Sequence, residues 1–314
     1  MISLAIVSPC YNEEALLEST ARVMLAVLDS LLDKEKISTD SFILFVNDGS
    51  IDSSWNIISA LHKETDRVRG INLAHNVGHQ NALMAGMLTV KDAVDAVITI
   101  DCDLQDDVNA IEEMVDKYHE GYDIVYGVKV SRSGDSLFKR LTAQAFYKFQ
   151  RNYAHIESVY NHADFRLLSN RVLSALSEYQ ESNLYLRGII PMIGFPSTVV
   201  NDIITERKAG KSKYSLSKMI NLALDGITSF TSKPMMTIIH FGIVFTVVSF
   251  FLLVYVLVKY IRGEVVPGWS SLMVSIWFIG GVLLIALGII GVYIGKIFSE
   301  VKKRPLFTIK DRLL

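Results

Sequence analysis

Val97-Ile98-Thr99-Ile100-Asp101-Cys102-Asp103-Leu104-Gln105-Asp106-Asp107 begins as an uninterrupted apolar run and ends in four acids. A run of this kind reads as a central strand buried on both faces, and carboxylates at the exit of such a strand rarely serve packing. Two acids at i and i+2, Asp101 and Asp103, can approach one cation where the chain turns. That suits Mg²⁺ or Mn²⁺ held by oxygen ligands beside a diphosphate. The competing reading is that Asp103, Asp106 or Asp107 caps the helix that follows.

Working outward, further β-rich runs occur at Ile2 to Ser8, Phe42 to Asn47, Arg69 to Leu73, Val94 to Asp101 and Asp123 to Val128, with helical periodicity between them. The alternation predicts an α/β fold of βαβ units with a mostly parallel sheet and helices on both faces. Ligands of such sheets bind at the carboxyl ends of the strands. Those ends carry Pro9-Cys10-Tyr11-Asn12-Glu13-Glu14 and Asn47-Asp48-Gly49-Ser50 as well as the acidic turn. Glu13 and Asp48 could accept hydrogen bonds from a base or ribose while Tyr11 packs on the base, which points to a nucleotide.

The last quarter of the chain differs in composition. Met235 to Val258 and Val265 to Gly295 carry no formal charge, and each exceeds the roughly 20 residues needed to cross a bilayer. We expect a two-helix transmembrane hairpin with spans near 235–258 and 270–295, inside a membrane anchor of 233–314. Lys211, Lys213, Lys218 and Lys233 precede the first span, and Lys296, Lys302, Lys303, Arg304, Lys310 and Arg312 follow the second. By the excess of positive charge on cytoplasmic flanks, the catalytic domain of 1–232, both termini and a basic tail face the cytoplasm. The stripe Leu216, Ile220, Leu224, Ile227 and Phe230 suggests an amphipathic helix near 215–231, lying on the bilayer or packing on the domain. Gly291 and Gly295 are a small-xxx-small pair that hints at helix packing and a homo-oligomer.

The formal net charge of −2 gives no global attraction to nucleic acid. The two cysteines, Cys10 and Cys102, have no recurrent spacing and argue against a disulfide framework, which fits a reducing compartment. The amino terminus lacks the basic region and cleavage site of a signal peptide. Gly210-Lys211-Ser212 is not a phosphate loop, since Thr205 stands where its first glycine belongs. His75 and His79 have ligand-like spacing without an intervening glutamate, so a turn or helix-surface role is the simpler reading.

Taken together, Ser8 to Glu14, Val46 to Ser50, Asn76-Val77-Gly78-His79-Gln80-Asn81-Ala82-Leu83 and Asp101 to Asp106 resemble family 2 glycosyltransferases in order and spacing. Ala163-Asp164-Phe165-Arg166-Leu167-Leu168, Glu206 to Tyr214 and the terminal spans are similar to the polyprenyl-phosphate type, which includes dolichol-phosphate mannose synthases and bactoprenol glucosyltransferases. The resemblance implies a GT-A-like domain with Pro9, Tyr11, Glu13 and Asp48 on the nucleoside. Asp101 and Asp103 would hold the metal, with Gln105, Lys129 and Arg166 near the donor diphosphate and sugar. Asp164 would act as a base or as an orienting group. Two departures stand out: Asp107-Val108-Asn109 replaces the family's usual prolines, and Lys129 stands where arginine is common, supplying charge without bidentate geometry.

A phosphate monoester, with a second pKa of about 6, is largely dianionic at neutral pH and needs cationic positioning more than a base. Arg132, Arg207, Ser212 and Lys213 supply suitable groups for an acceptor phosphate. The expected reaction is inverting transfer of one sugar from a UDP-sugar, with UDP-glucose the first choice and mannose or another hexose the alternative. The acceptor would be a polyprenyl phosphate such as undecaprenyl phosphate. A processive synthase is disfavoured by the lack of a Gln-x-x-Arg-Trp motif; a non-catalytic sugar-nucleotide sensor or scaffold is the rival from another class.

Overall fold

The structure, a computed structural model, describes residues 1–129, 162–179, 181, 184–203, 233–262 and 268–314. They fall into two compact units, the first holding the residues up to 203 together with Arg304–Leu314, and the second those of 233–303.

The first unit is built on strands β1 (Leu4–Cys10), β2 (Phe42–Asn47), β3 (Val68–Leu73), β4 (Ala96–Thr99), β5 (Ile124–Lys129), β6 (His162–Ser169), β7 (Ser197–Asp202) and β8 (Ile309–Leu313). Their order in one sheet is β7-β5-β6-β4-β1-β2-β3-β8. Every residue of β1 and β2 is buried, which explains their near-continuous apolar character. The pairings among β1 to β4 are parallel, as is β5 with β7, so the sheet is mostly parallel as the alternating pattern implies. Strand β6 enters between β4 and β5 antiparallel to both, and β8 closes the far edge antiparallel to β3.

Helices α1 (Leu17–Asp33), α2 (Ser54–Glu64), α3 (His79–Val90) and α4 (Ala110–His119) follow the first four strands, and α5 (Asn170–Leu176) and α6 (Leu186–Met192) are shorter. Helix α3 lies very close to the sheet because Gly86 has no side chain. A Cβ there would stand 2.5 Å from Val7 Cγ1 and 2.7 Å from Val46 Cγ2. That close approach sets the position of the α3 amino terminus over the strand ends.

The second unit consists of α7 (Lys233–Ile261, 29 residues) and α8 (Trp269–Val301, 33 residues). Within α8, Phe278–Val301 is long and apolar enough to cross a membrane, the one such segment among the described residues. Ile309–Leu313, grouped by the sequence reading with the anchor's basic tail, is instead the eighth strand of the sheet. Tail and sheet are far apart in the chain, and only backbone pairing in space reveals the strand.

Candidate active site

The carboxyl ends of β1, β2 and β3 open onto three turns that are tied to one another. Asn12 sits at φ 56°, a left-handed conformation that asparagine tolerates. Its N–H donates to Ser50 Oγ (2.9 Å), and its Oδ1 accepts from the Ile51 N–H (3.0 Å). Glu14 reciprocates: its N–H donates to Asp52 Oδ2 (3.2 Å) and its carboxylate accepts from the Ser53 N–H (2.9 Å). Gly49, at φ +62°, lets the next loop press in, since a Cβ there would meet the His75 carbonyl carbon at 2.5 Å. The buried Asp48 carboxylate accepts from the N–H groups of Val77 (2.7 Å) and Gly78 (3.1 Å). The β1, β2 and β3 turns thereby form one rigid rim.

Of the residues expected at the nucleoside, Pro9 ends within β1 opposite Val46, Tyr11 is exposed on the rim, and the Glu13 N–H donates to Ser54 Oγ (3.1 Å). Asp48 is already engaged by two backbone amides, so its first structural act is to hold the β3–α3 loop.

Deeper in the site Asp164, on β6, gathers four partners. Its Oδ1 accepts from Arg166 Nη2 (2.6 Å) and Arg187 Nε (3.3 Å), and its Oδ2 from Arg187 Nη2 (3.0 Å) and Gln80 Nε2 (3.4 Å). His79 Nε2 lies 3.4 Å from Asp164 Oδ2 and 3.5 Å from Asp101 Oδ1. Burial disfavours the charged form of Asp164. The hydrogen bond from His79 and the charges of Arg166 and Arg187 outweigh burial and hold the carboxyl well below the usual carboxylate range. His79 is conversely raised, because Asp164 and Asp101 outweigh its own desolvation.

Arg166, expected near the donor, is placed by the fold on β6 beside Asp164. It is 1% exposed, and its Nη2 donates to Asp164 Oδ1, so its charge is set against that carboxylate. Lys129 pairs with the buried Asp106 at 3.1 Å. Asp107 accepts from the N–H and side-chain amide of Asn109, a local turn at the entry to α4, while its own N–H donates to Asp202 Oδ1 (2.8 Å). Thus Asp106 is an ion-pair partner and Asp107 a turn former. Arg132, Arg207, Ser212, Lys213 and the amphipathic stretch near 215–231 lie outside the described residues.

Asp101 and Asp103 stand at the acidic turn beyond β4, with the Gln105 N–H donating to Asp103 Oδ1 (3.2 Å). Burial, together with Asp106, Asp164 and Asp103, pushes the Asp101 carboxyl up to about 6 even though His79 opposes it. The turn therefore concentrates negative charge in a donor set made of oxygen, and a hard divalent cation fits it. No group of three or more His, Cys, Asp or Glu side chains is arranged around a metal position among the described residues. Two carboxylates alone match a cation that takes its remaining oxygens from substrate phosphates and water.

Gln80 and Arg187 were given no role by the sequence reading, and His79, read as a turn or helix-surface residue, stands at the start of α3 with its ring beside Asp101 and Asp164. His79 and Gln80 lie within the quoted Asn76 to Leu83 motif and were legible as candidates. Arg187 carried no local signal. It reaches Asp164 only because α6 packs in the same unit, and the Leu186 N–H is held by Gln80 Oε1 (3.1 Å).

The model of the family described as "Glycosyl transferase family 2" matches residues 5–177. An uncharacterized glycosyltransferase, YkoT of Bacillus subtilis, is 48% identical over 306 residues, covering 98% of this chain and 90% of the relative. The bactoprenol glucosyl transferase of Shigella phage SfX is 39% identical over 271 residues, covering 86% of this chain and 88% of that protein. A prophage-derived bactoprenol glucosyl transferase of Shigella flexneri is 36% identical over 310 residues, covering 98% of both.

Proposed function

Because the chain belongs to glycosyl transferase family 2, we propose that it transfers one glucosyl group from UDP-glucose to a polyprenyl phosphate such as undecaprenyl phosphate, at the cytoplasmic face of the cell membrane. The observation that carries the substrate reading is the similarity to a bactoprenol glucosyl transferase over 98% of the chain, the long apolar helices included.

In the proposed step an acceptor phosphate oxygen attacks the anomeric carbon, the bond from that carbon to the UDP oxygen breaks, and UDP leaves with the electron pair. The configuration inverts. The acceptor is already dianionic at neutral pH, so no proton has to be removed. Asp164 suits this economy. Surrounded by Arg166, Arg187, His79 and Gln80 and held ionised, it is a poor proton acceptor and a good organiser of the half-exposed Arg187 and His79 beside the acidic turn. Pro9, Tyr11, Glu13 and Asp48 would hold the nucleoside, with Gln105 and Lys129 near the diphosphate and sugar. Arg132, Arg207, Ser212 and Lys213 would take the acceptor phosphate. A Mg²⁺ or Mn²⁺ ion held by Asp101 and Asp103 would neutralise charge on the departing diphosphate.

Two membrane crossings are supported by connectivity. The chain leaves the sheet unit before α7 and returns to the same sheet as β8, and a segment that starts and ends in one soluble unit crosses a bilayer an even number of times. If Phe278–Val301 spans, α7 supplies the return. The basic residues before the first helix and after the second support a cytoplasmic sheet unit.

The deciding experiment measures nucleoside diphosphate release by the purified chain in detergent with Mg²⁺, over a panel of sugar nucleotides, with and without undecaprenyl phosphate. Release from UDP-glucose that requires the lipid and disappears in Asp103→Ala is the expected result. Release from another donor would reassign the sugar, and donor binding without turnover would favour a sensor.

A further inference from the structure

The C-terminal strand lies beside the loop that carries Asp48's partners. In β8 the carbonyl of Thr308, just before the strand, accepts from the Ala74 N–H (2.9 Å), and Asp311 pairs in register with Asn72. Asp311 Oδ2 accepts from Asn72 Nδ2 (2.9 Å), and Asn72 Oδ1 in turn accepts from Asn47 Nδ2 (2.7 Å). Asn47 is 1% exposed and directly precedes Asp48. A chain of side-chain hydrogen bonds therefore runs from the C-terminal strand, through the end of β3, to the end of β2. The segment between Ala74 and Gly78 is held on both sides, by Thr308 at its start and by Asp48 at its end. His79 and Gln80, the next residues, face Asp164.

We propose that β8 is a positioning element of the donor site, with Asp311 and Asn72 fixing the β2 turn and the β3–α3 loop. Residues that follow the last apolar helix thus shape the nucleotide rim more than 200 positions earlier in the chain. A bulk contribution to the sheet edge would need only backbone pairing. The side-chain relay goes further, because Asn72 spends both ends of its amide in it, one on Asp311 and one on Asn47. The functional half of the proposal rests on the reading of this rim as the nucleoside site.

The test uses the full chain in detergent with UDP as the probe, and follows UDP affinity, turnover, and hydrogen–deuterium exchange of the 74–78 amides. Asp311→Ala should weaken UDP binding roughly threefold and Asn72→Ala roughly tenfold, the range of one lost partly buried hydrogen bond against that bond together with the buried one to Asn47. Both variants should speed exchange at Val77 and Gly78. Asp311→Asn keeps an acceptor oxygen and should restore wild-type behaviour, and Asp311→Ala in the Asn72→Ala background should add nothing, since the link is already cut. Lys310→Ala, exposed on the same strand, should change neither readout. Wild-type exchange and UDP affinity in Asn72→Ala and Asp311→Ala would overturn the proposal, as would full additivity in the double variant. Unchanged UDP affinity in Asp48→Ala would instead overturn the nucleoside reading, with the exchange data still deciding whether β8 positions the loop.

Discussion

Replacing Asp164 by Asn removes one negative charge and changes almost no volume. In the native site that charge faces Arg166, which is 1% exposed, and Arg187, whose side chain is 39% exposed. Arg187 can turn toward water when its partner is neutral; Arg166 cannot. Leaving a buried charge uncompensated costs about 3–5 kcal/mol, and the amide oxygen of Asn recovers part of it, so a net loss of about 3 kcal/mol is expected. At roughly 2–4 °C per kcal/mol for a unit of this size, Tm should fall by about 6–12 °C. The pH dependence follows from the depressed carboxyl. Its stabilisation is complete above the ordinary carboxylate range near pH 4 and is lost only as the pH falls through the lower native value, so the variant should differ most from wild type at neutral pH. Thermal unfolding followed at pH 7 and again below pH 4 measures this directly. A Tm within two degrees or so of wild type at neutral pH would refute the account of Arg166 as a buried cation that depends on Asp164. Turnover should drop in the variant while the acid limb of the pH–rate profile stays where it was; loss of that limb would mean that Asp164 is a base after all.

Asp101, raised to about 6 in the fold from an ordinary 3.8, behaves with the opposite sign. Its carboxylate form is disfavoured natively, so its contribution to the stability of the metal-free protein declines as pH climbs between about 4 and 6. Over the same window Mn²⁺ affinity, read by calorimetry, should rise and then level off; an affinity flat from pH 5 to 7 would contradict the assignment of Asp101 as a ligand. Gly86→Val should destabilise the sheet unit by about 1–3 kcal/mol, since its first carbon already meets Val7 and Val46, and an unchanged unfolding midpoint would mean that α3 can lift off the sheet at no cost. For the membrane arrangement, Arg262→Cys should react with an impermeant maleimide in intact cells and Lys310→Cys only after lysis, with Cys10 and Cys102 both buried and silent; equal labelling of the two positions would reject the two-span hairpin.

Strands β1 to β5 and the acids at their ends were legible from residue types alone. A strand buried on both faces has to be apolar throughout, and an acid where it emerges stands out against that background. The mostly parallel pairing of those strands followed from the alternation with helices, whereas their order across the sheet did not. Long uncharged stretches likewise announce themselves, because the length and the missing charge are local properties. What stayed hidden depends on partners distant in the chain. Strand β6 slips antiparallel between β4 and β5, β8 arrives after two long helices, and neither carries a pattern that names its neighbour. The acid Asp164 was visible, but whether it takes protons or holds cations was decided by Arg166, Arg187 and His79 meeting around it. Composition and periodicity are one-dimensional and determine which segments must be buried; charge balance and hydrogen bonding act through space, so the job of each buried polar group is settled only when tertiary structure brings its partners together.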